Sequence, residues 1–368
     1  MSILLNKDTR VLVQGITGKT GRVQTKLMLD YGTKIVAGVT PGKGGEVVEG
    51  VPVYDTVAEA VTKQGAQASL FFVPPAGVKD AAIQNIDAGI KLIVIVTEHT
   101  PVHDVMEIGE YAAERDVVII GPTTPGIITV GEAKMGIMPA NMFNPGRIGI
   151  ISRSGTLSYE VSVNLAKAGL GQSTVVGMGA DPVVLTNLPE LLSMFETDPG
   201  TNLIVIVGEV GGIQEERAAE YIDRWITKPV VAYIAGQNVP VGKRMGHAGA
   251  IVHGDGRGTP QSKIAALHTV GVDVAEVPTD VVNFAIKHLK HKGKHKIRLP
   301  LSFCLSCQGA WNNADIQSTT NYGTKTTLIE PSPFPAISKP FLISSKSNLC
   351  VTTPLVDSLP VAIQSRTG

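Results

Sequence analysis

The stretch Arg10-Val-Leu-Val-Gln14-Gly15-Ile-Thr-Gly18-Lys-Thr-Gly21 decides the fold. Arg10 to Gln14 has the character of a buried strand, and the segment that follows the glycines has a helical pattern to about Tyr31. Strand, glycine turn and helix together make a phosphate-binding unit in which amides at the helix start point toward an anion. The spacing is G-x-x-G-x-x-G, which differs from the dinucleotide spacing G-x-G-x-x-G. Glycines at a tight strand-to-helix turn are also compatible with a purely structural role.

The next strand, Lys34-Ile-Val-Ala-Gly-Val39, ends in Thr40-Pro-Gly-Lys-Gly-Gly45. A dinucleotide binder places an acidic residue there to grip ribose hydroxyls. Lys43 replaces it, so the expected ligand carries a phosphate on or near its ribose, and coenzyme A fits that exchange. A solvated loop lysine is the plainer alternative. Apolar runs at Ser69–Val73, Leu92–Val96 and Val117–Ile120 alternate with helical patterns, which predicts a parallel sheet covered on both faces. Ligands of such sheets gather beyond the carboxyl ends of the strands. That places Gly15–Thr20, Thr40–Gly44, Val73–Pro75, Val96-Thr97-Glu98 and Gly121–Thr124 on one pocket rim. His99 and His103 flank the rim, and Pro101 between them favours loop histidines over a helical metal pair.

Periodicity fades from Thr129 to Pro145, where a domain boundary is expected. A second strand-to-helix unit follows, with Arg147–Ile151 leading into Ser152-Arg-Ser-Gly-Thr156 and a helical segment from Leu157 to Ala168. Hydroxyls, a glycine and free amides at a helix start form a second anion cradle at Ser154, Gly155 and Thr156, although serines there also serve as ordinary helix caps. Leu203–Val207 ends in Gly208-Glu-Val-Gly-Gly212, which is expected to project Glu209 over the sheet edge. The plainer role for Glu209 is an acidic charge ahead of a helix from Gln214 to Ile226. Val230–Ile234 precedes Gly242-Lys-Arg-Met-Gly-His247-Ala-Gly-Ala250. The small residues leave room for a charged group to reach His247, and Lys243 and Arg244 could supply positive potential. A carboxylate on one ring nitrogen would leave the other nucleophilic, so Glu209 and His247 mean more together than apart.

With 368 residues, 43% hydrophobic, 17% charged and no formal net charge, the composition is that of a two-domain globular protein and offers no basic face for nucleic acid. Neither a signal peptide nor a membrane-spanning apolar run is seen, so a cytoplasmic location and no membrane partner are expected. Cys304, Cys307 and Cys350 all lie near the end, so disulfides cannot hold the body together. The spacing of Cys304 and Cys307 lacks a second pair and a strand-helix context, and chance accounts for it. Lys287–Lys296 is a basic run read as a solvated helix end. Residues 297–368 are rich in Ser, Thr and Pro and are expected to be a disordered extension.

In their joint order, Gly15–Gly21, Thr40–Gly45, Ser152-Arg-Ser-Gly-Thr-Leu-Ser-Tyr-Glu160, Gly208–Gly212 and Gly246-His-Ala-Gly-Ala250 resemble the α subunit of succinate–CoA ligase over residues 1 to about 290. The resemblance implies a Rossmann-like CoA-binding domain at 1–130, a flavodoxin-like ligase domain at 146–296, and an ATP-grasp β subunit that binds ATP or GTP with Mg²⁺. It implies CoA contacts from Thr17, Gly18, Lys19, Thr20, Lys43, Val96, Thr97 and Glu98, and places Tyr159 at the acyl-substrate site. His247 would be transiently phosphorylated, oriented by Glu209 and cradled by Ser154, Gly155 and Thr156. In the implied reaction a nucleoside triphosphate and the acid give an acyl phosphate, which CoA attacks. No metal ligands are implied on this chain. Two departures bear on the acid: Thr123-Thr124 stands where the family has Asn-Cys, and Ala180 interrupts its G-x-G-G-D-P. Ligation of a related acid such as malate or citrate is one alternative. A CoA-binding regulatory module is another, for which Glu209 and His247 would have no use.

Overall fold

The structure is a computed structural model that describes residues 2–238, 246–251 and 258–290. Lys243, Arg244, the three cysteines, residues 291–296 of the basic run and the 297–368 tail lie outside the described residues. Among the described residues the chain is α/β, with two seven-stranded sheets.

The first sheet holds β1 (Val11–Gln14), β2 (Ile35–Val39), β3 (Val47–Val48), β4 (Val51–Tyr54), β5 (Ala68–Phe71), β6 (Leu92–Ile95) and β7 (Val118–Ile120). Its order is β3-β4-β2-β1-β5-β6-β7, parallel except for the β3-β4 hairpin at one edge. The strands β1, β5 and β6 are buried along their whole length and mostly apolar because both faces are covered. Val11 and Val13 enter one core layer with Met28, while Leu12 enters the other with Ala60 and Ile86. Helices α1 (Lys19–Tyr31), α2 (Val57–Gln64), α3 (Val78–Asp87) and α4 (Val102–Ala113) make the crossovers. His103 lies in the first turn of α4 and not in a loop, because Pro101 precedes the helix as its cap. His99 stays outside the helix, at φ 60°.

Two short strands, β8 (Gly126–Thr129), which leads into the segment of fading periodicity, and β9 (Ala133–Gly136), which lies within it, form an antiparallel edge of the second sheet. The remaining strands are β10 (Pro145–Ser152), β11 (Gln172–Gly177), β12 (Leu203–Glu209), β13 (Val230–Ala235) and β14 (Asp273–Ala275), in the order β14-β13-β12-β10-β11-β8-β9. Helices α5 (Gly155–Lys167), α6 (Leu188–Thr197), α7 (Gln214–Trp225), α8 (Pro260–Thr269) and α9 (Asp280–Lys290) cover its faces. One apolar layer runs from Val13 and Met28 through Ile127 and Met135 to Val176 and Leu191, so the sheets share a core. Thr33 reinforces the join, donating to the Lys134 carbonyl at 2.8 Å and accepting from the Lys134 N–H at 2.9 Å. No described helix is long and apolar enough to cross a membrane.

Candidate active site

The rim at the carboxyl ends of the first sheet is continuous through named contacts. Thr17 Oγ1 donates to Thr40 Oγ1 at 3.2 Å, Thr97 Oγ1 donates to the Val73 carbonyl at 2.8 Å, and the Thr123 N–H donates to the Thr97 carbonyl at 3.2 Å. Gly15 has φ +73°, and a Cβ there would meet the Phe72 carbonyl oxygen at 2.5 Å, so glycine lets β1 turn beside β5. Gly18 caps α1 without using a side chain, which leaves Gly18, Lys19 and Thr20 exposed at the helix start. Lys43 is exposed, and its ammonium lies 3.2 Å from Glu46 Oε1. Val96 and Thr97 are half-buried, while Glu98 is exposed and 4.0 Å from His99 Nε2.

In the second sheet, Ser154 caps α5 by accepting the Leu157 N–H at 3.4 Å, and its own N–H donates to Ser152 Oγ at 3.1 Å. The amides of Gly155 and Thr156 belong to the first helical turn, whose N–H groups have no intrahelical acceptor. Tyr159 packs its ring edge-on against Phe143, with centroids 6.1 Å apart, and burial pushes its hydroxyl up to about 12. Its oxygen lies 3.7 Å from where a side chain on Gly155 would begin.

Glu209 ends β12, and its carboxylate is buried at 8% exposure instead of projecting over the sheet edge. It lies outside the first turn of α7, whose acidic residues are Glu215 and Glu216. Glu209 Oε2 lies 2.8 Å from Nδ1 of His247, a ring that is 36% exposed. The hydrogen bond to Glu209 raises the pKa of His247 above the usual histidine range, against the opposing effect of partial burial.

Glycines fix the histidine segment in two ways. Gly246 has open space around it, whereas Gly249 donates its N–H to the Ala180 carbonyl at 3.1 Å and could not carry a side chain without striking that oxygen at 2.8 Å. Gly211, at φ +83°, sits under the same segment, and a Cβ there would lie 2.1 Å from the Gly249 carbonyl oxygen. Gly211→Ala is therefore expected to cost about 1–3 kcal/mol and to displace His247 from Glu209, read by thermal unfolding and by histidine NMR. A wild-type His247 signal in the folded variant would contradict it.

The motifs do not announce what lies behind Glu209. Arg153, at 6% exposure, donates from Nη1 to the Glu209 carbonyl at 3.2 Å, the Gly211 carbonyl at 2.8 Å and Glu215 Oε1 at 3.2 Å. Glu215 is fully buried and is also bonded by Lys263, itself fully buried, whose ammonium reaches the Gly212 carbonyl at 3.0 Å and Glu216 at 3.3 Å. Burial alone would raise the pKa of Glu215, but Arg153 and Lys263 outweigh it and hold the carboxyl below its usual range. Removing one partner of such a buried pair leaves an uncompensated charge, so Lys263→Met should lower stability by about 3–5 kcal/mol in denaturant unfolding. A loss below 1 kcal/mol would contradict that assignment.

A cleft of about 530 Å³ opens beside this network, lined in part by Arg153, Asp181, Arg217, Ala248 and Gly249. Asp181 accepts from Thr123 Oγ1 at 2.9 Å and is raised in pKa chiefly by burial. Thr124 turns inward, donating to the Gly177 carbonyl and accepting the Gly126 N–H at 2.9 Å. The rim of the first sheet thus meets the histidine site through Thr123 and Asp181. Among the described residues, no group of three or more His, Cys, Asp or Glu side chains could hold a metal ion.

Residues 6–99 match the family described as CoA binding domain, and residues 151–272 match that described as CoA-ligase. The chain is 52% identical over 292 residues to the ADP-forming succinate–CoA ligase subunit alpha of Aquifex aeolicus, covering 79% of this chain and 95% of that one. The protein of the same name from Methanothermobacter thermautotrophicus is 54% identical over 281 residues, covering 76% and 95%. That from Staphylococcus aureus strain MRSA252 is 47% identical over 302 residues, covering 82% and 100%. Among solved structures, an ATP citrate lyase from Methanothrix soehngenii, in complex with citrate and coenzyme A, superposes with a TM-score of 0.70 at 23% identity. It covers 77% of this chain, which spans about half (51%) of the lyase chain, and the likeness is one of fold. By its matches to both domain families and to these full-length relatives, the chain belongs to the family of succinate–CoA ligase α subunits.

Proposed function

We propose that this chain is the α subunit of an ADP-forming succinate–CoA ligase, working in the cytoplasm, and that its reaction passes through a phosphohistidine at His247. The observation that carries the reading is the 2.8 Å contact between Glu209 and His247 Nδ1 on a partly exposed ring beside a cleft that meets the rim of the CoA-binding sheet. Residues 1–130 bind CoA through Thr17 to Thr20, Lys43 and Val96 to Glu98, and residues 146–296 carry the phosphoryl chemistry. An ATP-grasp β subunit supplies ATP and Mg²⁺.

With Nδ1–H held by Glu209, the lone pair of the neutral ring is on Nε2. Nε2 attacks the terminal phosphorus of ATP and ADP leaves. A succinate carboxylate oxygen then takes the phosphoryl group from Nε2, giving an acyl phosphate and restoring the ring. The CoA sulfur attacks the acyl carbon, phosphate departs, and the thiol proton is released to a base or to water. The amides of Gly155 and Thr156 and the dipole of α5 offset the charge of the phosphorylated ring, while Tyr159 bounds the acid's site.

The test is incubation of the chain and its β partner with [γ-³²P]ATP. Acid-labile, base-stable label on this chain, discharged by succinate with CoA, is the expected result, and a chain that turns over without ever taking label would overturn the phosphohistidine. Succinate should exceed malate and citrate in thioester formation.

A further inference from the structure

A carboxylate bonded to an imidazole fixes its tautomer, but it also stabilises the imidazolium, which has no lone pair left for phosphorus. Glu209 has to orient His247 without holding it protonated. Its two oxygens are treated differently: Oε2 meets the ring, while Oε1 has no hydrogen-bond partner and lies 3.5 Å from Arg153 Nη2. Arg153 cannot swing away, since Nη1 is committed to two carbonyls and to Glu215. Glu215 in turn accepts the backbone N–H of Glu209 at 3.1 Å and is bonded on its other oxygen by Lys263. Glu209 is therefore held at its N–H by Glu215, at its carbonyl by Arg153 and at one carboxylate oxygen by His247.

We propose that Arg153 is a positioning residue for the Glu209–His247 pair: clamped by Glu215 and Lys263, it shares the Glu209 carboxylate with the imidazole and so limits how strongly Glu209 holds the ring in the protonated form that cannot accept a phosphoryl group. The inference rests on the reading of His247 as the phosphoryl carrier. The local charges support it. Arg153 and Lys263 face Glu209, Glu215 and Glu216, which leaves one net negative charge behind the ring. Glu98 from the rim and Asp181 from the segment after β11 also act on the ring, and Arg153 works on it in the opposite sense to Glu209. Losing Arg153 makes the surroundings more negative and favours the imidazolium, whereas losing the charge of Glu215 makes them more positive and disfavours it. Opposite shifts from two neighbouring buried residues are a signature that general loosening of the site would not produce.

The experiment measures carbethoxylation of His247 by diethylpyrocarbonate against pH in the full chain bound to its β partner, read by peptide mass spectrometry. The reagent takes the neutral ring, so the midpoint reports His247 without requiring catalysis. Arg153→Met should raise the midpoint by about half a pH unit or more, and Glu215→Gln should lower it. Arg153→Lys, which keeps the charge but not the forked contacts, should restore the midpoint while phosphorylation stays slow. Should a single variant fail to assemble, Arg153→Met with Glu215→Gln removes one charge of each sign, and its midpoint should lie above wild type because Arg153, and not Glu215, pairs with the Glu209 carboxylate beside the ring. Unmoved midpoints, shifts of the same sign in both single variants, or a double variant at or below wild type would overturn the proposal. Labelling of the wild-type chain by [γ-³²P]ATP tests the underlying reading separately.

Discussion

His247→Asn is expected to take no phosphoryl label and to form thioester on the order of 10³-fold more slowly than wild type, or slower still. An asparagine fits the space between Gly246 and Gly249 and can still reach Glu209, so the segment should stay docked on Ala180, but its amide nitrogen has no lone pair for phosphorus. CoA binding is the internal control, because the rim from Thr17 to Thr97 is held by contacts that do not involve the histidine. Calorimetric titration should therefore give CoA affinity near that of wild type while turnover is lost. A variant that still turned over within tenfold of wild type would remove His247 from the reaction path.

Glu209→Gln should lower phosphorylation by about 10²-fold or more and also change its pH dependence. The sign follows from the wild-type pair. The hydrogen bond to Glu209 raises the pKa of His247, so in wild type the ring stays protonated to a higher pH than an ordinary histidine and labelling falls as pH drops through that raised value. Glutamine removes the charge, the pKa falls, and the acid limb of the profile moves to lower pH. The defect is then smallest at acid pH and largest above the raised wild-type value, where the wild-type ring is already neutral and only orientation has been lost. Stopped-time labelling from about pH 5.5 to 8.5 brackets the unperturbed histidine value and reads both effects. An acid limb that stayed in place would mean that Glu209 does not set the charge state of the ring.

Much of the fold was legible because its signals are local. Val11 to Val13 is apolar on both faces, Gly15 turns where the residue after β5 leaves no room for a side chain, and α1 follows from Lys19. The Val47–Tyr54 hairpin and the β8-β9 edge were not legible. Their strands are two to four residues long, too short to show a period, and form by pairing with neighbours. His247 and Glu209 stood out by residue type in glycine-rich surroundings. Arg153 passed as one residue of a serine-rich helix start, and nothing in the local sequence singled out Glu215 or Lys263. Their contacts join residues 62 and 48 positions apart, and no local pattern encodes such a pairing.

The amino-acid order alone determined the two strand-turn-helix units and the rim loops, and singled out Glu209 and His247 as residue types in glycine-rich turns, because each is written in a few adjacent residues whose chemistry needs no partner to be read. Tertiary structure decided that Glu209 is buried instead of displayed, that Thr123 meets Asp181, and that Arg153, Glu215 and Lys263 stand behind the histidine. The reason is physical: a buried charge is tolerable only beside its counter-ion, and which residues become counter-ions is fixed when β10, β12, α7 and α8 pack together.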